Sequence, residues 1–226
     1  MAFQLKNVVP WGRNLSEYER MFNFSASDFD KQMISFGDGP ASFNAEMTAL
    51  GKKVVSVDPV YQFTKSQLAQ RIAETKDEVL AQTQQNTTNF CWNKIKNIKE
   101  LENIRMSAMT EFLNDFESGK AEGRYISKEL PENLGFKNLS FDLGLSSHFL
   151  ILYDQLGLVF HIESINEMLR ICQEIRIFPL LNLNAERSAV IDGIVKYFES
   201  GYYLNIVKVV YEFQKGGNEM LVIRHF

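Results

Sequence analysis

The sequence predicts an α/β protein built on a mixed sheet, and three observations carry that expectation. Short apolar or β-branched runs alternate with stretches of helical periodicity. A glycine turn, Gly37-Asp38-Gly39, stands between the first such run and the helix that follows it. The chain closes with two long β-rich runs, 204–213 and 220–225, joined by Lys215-Gly216-Gly217-Asn218, a hairpin turn by composition. Parallel units followed by an antiparallel pair make a sandwich of helices around one mixed sheet.

In chain order, Leu15, Tyr18, Met21 and Phe22 form a helical stripe in an N-terminal arm over residues 1–30. Met33–Phe36 is a first strand, after which Phe43, Met47 and Leu50 fall at helical spacing until Gly51 stops them. Val54, Val55 and Val57 make a second strand that runs into Asp58-Pro59, so the opening is a βαβ unit. Thr64 and Gln67 then form a capping box ahead of Leu68, Ile72 and Val79 on one helical face, and residues 82–89 read as a polar loop. A second helix carries Ile104, Ala108, Met109, Phe112 and Leu113, with Gly119 as its end. This helical insertion, about 62–120, exceeds what a crossover needs and suits either a lid over a site or an extra layer on the sheet. Strands are expected at 124–126, 141–145 and 174–178. A helix with Ile165, Met168, Leu169 and Cys172 precedes the last of these, and another with Val190, Ile194, Val195 and Phe198 follows it, closed by Gly201.

The length of 226 residues suits a single domain, 1–226, with a full hydrophobic core. Apolar residues at 45% and charged residues at 23% exclude a disordered or collagen-like chain. A net charge of -4 without any basic run argues against nucleic acid or an anionic membrane as partner. Two cysteines and three histidines can assemble neither a disulfide framework nor a Cys-rich zinc site, so no metal is expected and the compartment reads as reducing. No apolar run nears the roughly 20 residues of a bilayer span. Residues 1–10 lack the pattern of a secretory signal, so a cytoplasmic location is expected and Asn86-Thr87-Thr88 is a chance glycosylation pattern.

The glycine turn is the most informative segment, because glycines at a strand's carboxyl end let the backbone approach a ligand in front of the next helix. Asp58 follows about 20 positions later at the tip of the second strand, where a carboxylate can accept from both ribose hydroxyls. Without a ligand, Gly37 and Gly39 would make only a tight turn and Asp58 an ordinary strand-end cap. Ala41 and Ser42 stand where a dinucleotide fingerprint requires its third glycine, which favours an adenosine cofactor without phosphates over NAD.

The run from Ile34 to Ala41, Asp58, the Phe141-Asp142-Leu143 strand start and the terminal hairpin together resemble class I S-adenosylmethionine-dependent methyltransferases, from about residue 30 onward. The likeness extends to uncharacterised bacterial members that carry the same Gly-Asp-Gly-Pro-Ala turn. Ser35 stands where that family often has an acid, and Ala41 replaces its third glycine. The resemblance implies a Rossmann-like three-layer sandwich with a seven-stranded mixed sheet and an antiparallel last strand. It implies S-adenosylmethionine as cofactor and a small-molecule methyl acceptor.

Carried over residue by residue, the backbone of Phe36, Gly37, Asp38 and Gly39 would pass the methionyl part of the cofactor, Asp58 would hold the ribose, and Pro59 would lie under the adenine edge. Leu130 would line the adenine pocket, with Leu134 equally acceptable in another register. Ser146 and Ser147 would border the cofactor at the end of the fourth strand. His148 beside them would face the transferable methyl, where an imidazole can take a proton; a histidine bonded within its own loop is the plainer reading. Arg13 would pair with the cofactor carboxylate, or else be a surface arginine. His161 and His225 read as structural. The fourth strand ends in Leu145-Ser146-Ser147-His148, not in the Asn/Asp-Pro-Pro-aromatic segment of nucleic-acid methylases, which disfavours a base as substrate. Two other readings stay open: a nicotinamide-dependent oxidoreductase, and a methyltransferase-like protein that binds cofactor without catalysis. Nothing in the sequence sets the oligomeric state.

Overall fold

Met33–Phe36 (β1) is a run of four apolar or small residues without a charge, and all four are buried because the strand lies at the middle of the sheet. Val54–Val57 (β2) pairs with it in parallel on one side and Phe141–Ser147 (β4) on the other. Tyr125–Ile126 (β3) extends the sheet beyond β2, and Cys172–Phe178 (β5) lies in parallel beyond β4. Glu219–Arg224 (β7) then runs antiparallel to β5, with Tyr203–Lys208 (β6) antiparallel at the edge. The order is β3-β2-β1-β4-β5-β7-β6. This is the Rossmann-like methyltransferase sheet, seven strands with β7 antiparallel, as the resemblance implies. The structure is a computed structural model and describes residues 10–226, so the reading of a missing secretory signal rests partly on residues outside it.

Two cores flank the sheet. On one face Gly157–Ile171 (α5) and Val190–Phe198 (α6) bury Ile165, Met168, Leu169, Ile194 and Phe198 against Ile34, Phe36, Ile175 and Ile177. On the other, Leu15–Met21 (α1) and Phe43–Ala49 (α2) pack Tyr18, Met21, Phe43 and Met47 over Met33, Leu143 and Leu145. Lys65–Gln85 (α3) and Ile98–Ala121 (α4) form a third cluster in which Phe112 and Phe116 meet Tyr61 and Tyr125. Each such aromatic, fully buried, contributes roughly 1.5–3 kcal/mol. No helix among the described residues is long and apolar enough to cross a membrane.

Several boundaries differ from the sequence reading, each for a physical reason. α3 continues through Gln85, past the expected start of the loop, because Thr83 is buried with its hydroxyl donating to Val79 O and glutamines are good helix formers. Gly119 does not end α4: a Cβ there would stand 2.4 Å from the Tyr125 ring, so the glycine admits that ring, and the turn comes at Gly123 with φ +76°. Cys172 opens β5, where the reading had put it on the helix. β6 stops at Lys208, well short of residue 213, because Val209 and Tyr211 leave the sheet to pack in the second core.

Candidate active site at the carboxyl edge of the sheet

The strand order reverses between β1 and β4, and in open α/β sheets the crevice at the carboxyl ends of such a pair is where ligands bind. Phe36 pairs with Ser146 there, Gly37 N–H donates to Val57 O at 2.9 Å, and His148 N–H donates to Phe178 O at 2.7 Å. The ends of β1, β2, β4 and β5 are thereby fixed relative to one another. The structure thus brings Gly37, Gly39, Asp58, Ser146, Ser147 and His148 to one edge.

Gly37 and Gly39 both take left-handed conformations, with φ +70° and +54°. They differ in what lies above them. A Cβ on Gly37 would stand 2.5 Å from the Phe149 ring, so the protein's own packing already demands a glycine, whereas a Cβ on Gly39 would meet nothing within 4 Å. Gly39 is therefore the residue with open space above its backbone.

Asp38, between them, turns its carboxylate into the protein. Oδ1 accepts from Tyr18 Oη at 2.7 Å and from Ser35 Oγ, and Oδ2 accepts from Ser56 Oγ at 2.7 Å. The serine that replaces the family's acid thus donates to an acid three residues later, and α1, β1, β2 and the turn are tied at one carboxylate. Burial pushes the Asp38 pKa up, against the pull of those hydroxyls. The network continues from Ser56 to Asn44, which bonds Arg124, and Arg124 meets Asp115 through two bonds of 2.6 and 2.7 Å.

Asp58 accepts from Gly39 N–H at 2.7 Å and from Val60 N–H at 2.9 Å, one on each oxygen. Burial raises its pKa to about 6, opposed by the two amides and helped by the charges of Asp38 and Glu129. Each oxygen keeps a second lone pair for a ligand hydroxyl. Pro59 is half-buried beside it, while Leu130 sits in the main core with Val57 and Leu134.

Arg13 is half-buried, and its carbonyl accepts from Ser42 N–H, which holds the arm against the glycine turn. Gly12 is needed for that approach, since a Cβ would fall 1.9 Å from Pro40 O. The guanidinium of Arg13 donates once, from Nη1 to Trp11 O at 3.0 Å, and its Nε is buried without a hydrogen-bond partner. Burial and the neighbouring Arg105 lower its pKa. Glu17, itself bonded to Arg105, acts on it only through space, so a guanidinium with no salt bridge among the described residues and an unpartnered Nε suits an anionic ligand.

Arg105, fully buried on α4, does have its partner: Nη1 and Nη2 donate to Glu17 at 2.5 and 2.8 Å, and Tyr211 Oη donates to the same carboxylate at 2.9 Å. Burial pushes the Glu17 carboxyl up, but the charge and twin bonds of Arg105 outweigh it and hold the pKa at about 2. This knot joins α1, α4 and the segment after β6 above the crevice. It was missed in the sequence, although an arginine four residues after Leu101 and three before Ala108 on the apolar stripe of α4 is its signal.

His148 adopts φ +54°, and its ring packs edge-on against Phe178 at 5.3 Å and faces Tyr211 at 6.4 Å. Ser147 Oγ donates to Met21 Sδ at 3.7 Å and lies 2.9 Å from His148 Nδ1. The Ser147 hydroxyl therefore holds one face of the ring at Nδ1, with the roles of donor and acceptor in that bond following the tautomer. Burial, then Arg13 and Arg105, hold the His148 pKa well below its ordinary value, so the ring is neutral and resists taking up a proton. Ser146 Oγ is buried without a partner on the opposite face of β4. His161, fully buried, bonds the carbonyls of Gly157 and of Leu150 in the loop after β4, and His225 bonds Leu169 O.

Against known proteins, the chain is 36% identical over 222 residues to the uncharacterized protein MJ0045 of Methanocaldococcus jannaschii, covering 97% of both chains. It belongs to the same family as that archaeal protein. No protein-family model matches. Among solved structures, the PH0226 protein of Pyrococcus horikoshii OT3 is similar with a TM-score of 0.50 at 11% identity, over 93% of this chain and 90% of the other. The N-methyltransferase NodS of Bradyrhizobium japonicum WM9, solved with S-adenosyl-L-homocysteine, gives a TM-score of 0.49 at 8% identity, over 93% and 85%. The chain spans 55% of the pyocyanin biosynthetic protein PhzM, at a TM-score of 0.46 and 10% identity. The likeness to PH0226 shows the fold alone, the Rossmann-like seven-stranded mixed sheet described above.

Proposed function

We propose that the protein is an S-adenosylmethionine-dependent methyltransferase acting on a small molecule. The observation that carries this reading is the convergence on one crevice of Gly39 with open space above it, Asp58 with lone pairs to spare, and Arg13 with an unpartnered buried Nε. These fit the backbone, ribose and carboxylate of an adenosyl amino acid in turn. When bound, that cofactor supplies an electrophilic methyl on a sulfonium. Gly39 admits it, Asp58 holds its hydroxyls, and Arg13 neutralises its carboxylate, while Gly37 makes room for the protein's own Phe149 ring. Pro59 and Leu130 bound the adenine side, Ser146 and Ser147 border the cofactor at the end of β4, and His148 bounds the acceptor side. His148, kept neutral, orients an acceptor.

Calorimetric titration with S-adenosylmethionine or S-adenosylhomocysteine tests the proposal, and no heat at millimolar ligand removes it. Asp58→Ala is expected to weaken binding by about 1–3 kcal/mol, the range for a charged hydrogen bond. His148→Ala should lower turnover and leave cofactor affinity unchanged. A second reading is cofactor binding without catalysis. Binding without turnover across a broad acceptor panel supports that one.

A further inference from the structure

Strand β6 ends the sheet, and its outer side meets no other strand among the described residues. An open edge of this kind is a template for another chain unless charge, proline or a bulge guards it. Here Lys208 is the one charge in the strand, at its far end, and the side chains of Tyr203 and Ile206 are exposed. We propose that β6 is a homodimer interface: two copies pair antiparallel through it, about a two-fold axis at Asn205, and join their sheets into one.

The hydrogen bonds already made decide which main-chain groups are free. Val209 N–H donates to Asn218 O at 2.9 Å, so in the register of β6 on β7 the groups of Tyr203, Asn205 and Val207 also face β7. Those of Leu204, Ile206 and Lys208 therefore point outward. Asn23 agrees, since its Nδ2 donates to the Lys208 carbonyl at 3.0 Å. At the other end Tyr202 N–H is spent on Phe198 O at 3.1 Å. Among the described residues this leaves both groups of Leu204 and of Ile206, the N–H of Lys208 and the carbonyl of Tyr202 without a partner.

That set is its own complement. With the axis at Asn205, Leu204 exchanges two hydrogen bonds with the partner's Ile206, and Lys208 N–H meets the carbonyl of the partner's Tyr202. An axis at Leu204 would set Ile206 against Tyr202, whose N–H is spent; one at Ile206 would set Leu204 against Lys208, whose carbonyl is spent. The side chains agree. Tyr203 lies opposite the partner's Val207, an aromatic on a β-branched residue, and Leu204 lies opposite the partner's Ile206. Antiparallel pairing also holds the two copies of Lys208 at opposite ends, where a parallel one would crowd them. Strands β5 and β7 stand between β6 and the crevice, so the dimer leaves the site open. One strand pair is a small contact, which suits a dissociation constant of roughly micromolar order.

Sedimentation velocity on the full chain over micromolar concentrations should show a monomer and dimer in equilibrium. Ile206→Pro removes two donors from the dimer and none from the ladder of β6 on β7, and should raise the dissociation constant roughly tenfold or more. Asn205→Lys alters only an exposed side chain, sets like charges opposite each other and should shift the equilibrium the same way, with an unchanged circular dichroism spectrum. Asn205→Cys reads the register. Residues facing each other on the axis have Cα atoms about 4.5 Å apart, within reach of a disulfide, so mild oxidation should link the dimer through Cys at 205 but not in Lys208→Cys. A monomer at every concentration overturns the proposal and leaves the edge to a strand of another protein. A dimer that survives both Ile206→Pro and Asn205→Lys, or that Asn205→Cys fails to link, overturns it as well.

Discussion

Asp58 should weaken the fold at neutral pH, and the effect can be isolated. Its pKa is raised to about 6 in the folded protein against 3.8 for a free aspartate, and its residue is only 7% exposed. Between those two values the folded state holds a proton that the unfolded state has released, so stability is full below the unfolded value and falls as pH rises through the folded one. Two units at about 1.36 kcal/mol each give roughly 3 kcal/mol. Asp58→Asn removes the titration. Its amide must face one of the two N–H donors now met by the carboxylate, which adds a pH-independent cost, so only the change in the difference with pH is informative. Urea unfolding of both proteins from pH 4 to 7.5 should show the wild type losing about 3 kcal/mol relative to Asp58→Asn, most of it below pH 6.5. Cofactor affinity should rise over the same window as the carboxylate ionises. Parallel stability curves would refute the claim that this carboxylate is held at a cost for a ligand.

Arg13→Gln should leave stability within about 1 kcal/mol, because the side chain makes a single backbone contact, yet weaken S-adenosylhomocysteine by roughly 10–100-fold in calorimetry; unchanged affinity would remove Arg13 from the site. Glu17→Gln should cost about 3–5 kcal/mol in urea unfolding by leaving Arg105 buried and unpaired, whereas the double replacement Glu17→Met with Arg105→Met recovers much of that. A cost under about 1 kcal/mol for the single change would show the pair to be dispensable. Gly119→Ala should destabilise by about 1–3 kcal/mol through the Tyr125 contact, despite alanine's better helix propensity, and a gain in Tm would contradict that packing.

The sheet was legible because each strand carries its own signal: unbroken apolar residues for β1, β-branched residues for β2, and a terminal pair around Lys215-Gly216-Gly217-Asn218. The turn glycines and Asp58 were legible by spacing, and the Gly39 to Asp58 hydrogen bond brings them together. Long-range polar partners were hidden. Ser35 read as a gap in the motif because nothing local says that Asp38 turns inward to meet it. Arg105 and Tyr211 looked like unrelated residues, since their meeting at Glu17 depends on how three segments cross above the sheet. Gly119 misled because a glycine that admits a neighbouring ring and a glycine that ends a helix look alike in one dimension.

The Glu17 knot also sets an order of events during synthesis. Its partners lie 88 and 194 residues further along the chain. At roughly 5–20 residues per second, Glu17 waits on the order of 10–40 s after translation before Tyr211 exists. Until then α1 is held by Asp38 and Arg105, and Leu15, Tyr18, Met21 and Phe22 remain without the Val209 and Tyr211 surface that completes their core. Contacts of such long loop closure are made late. The arm that carries Arg13 therefore gains its last long-range contacts only when the final strands have been made.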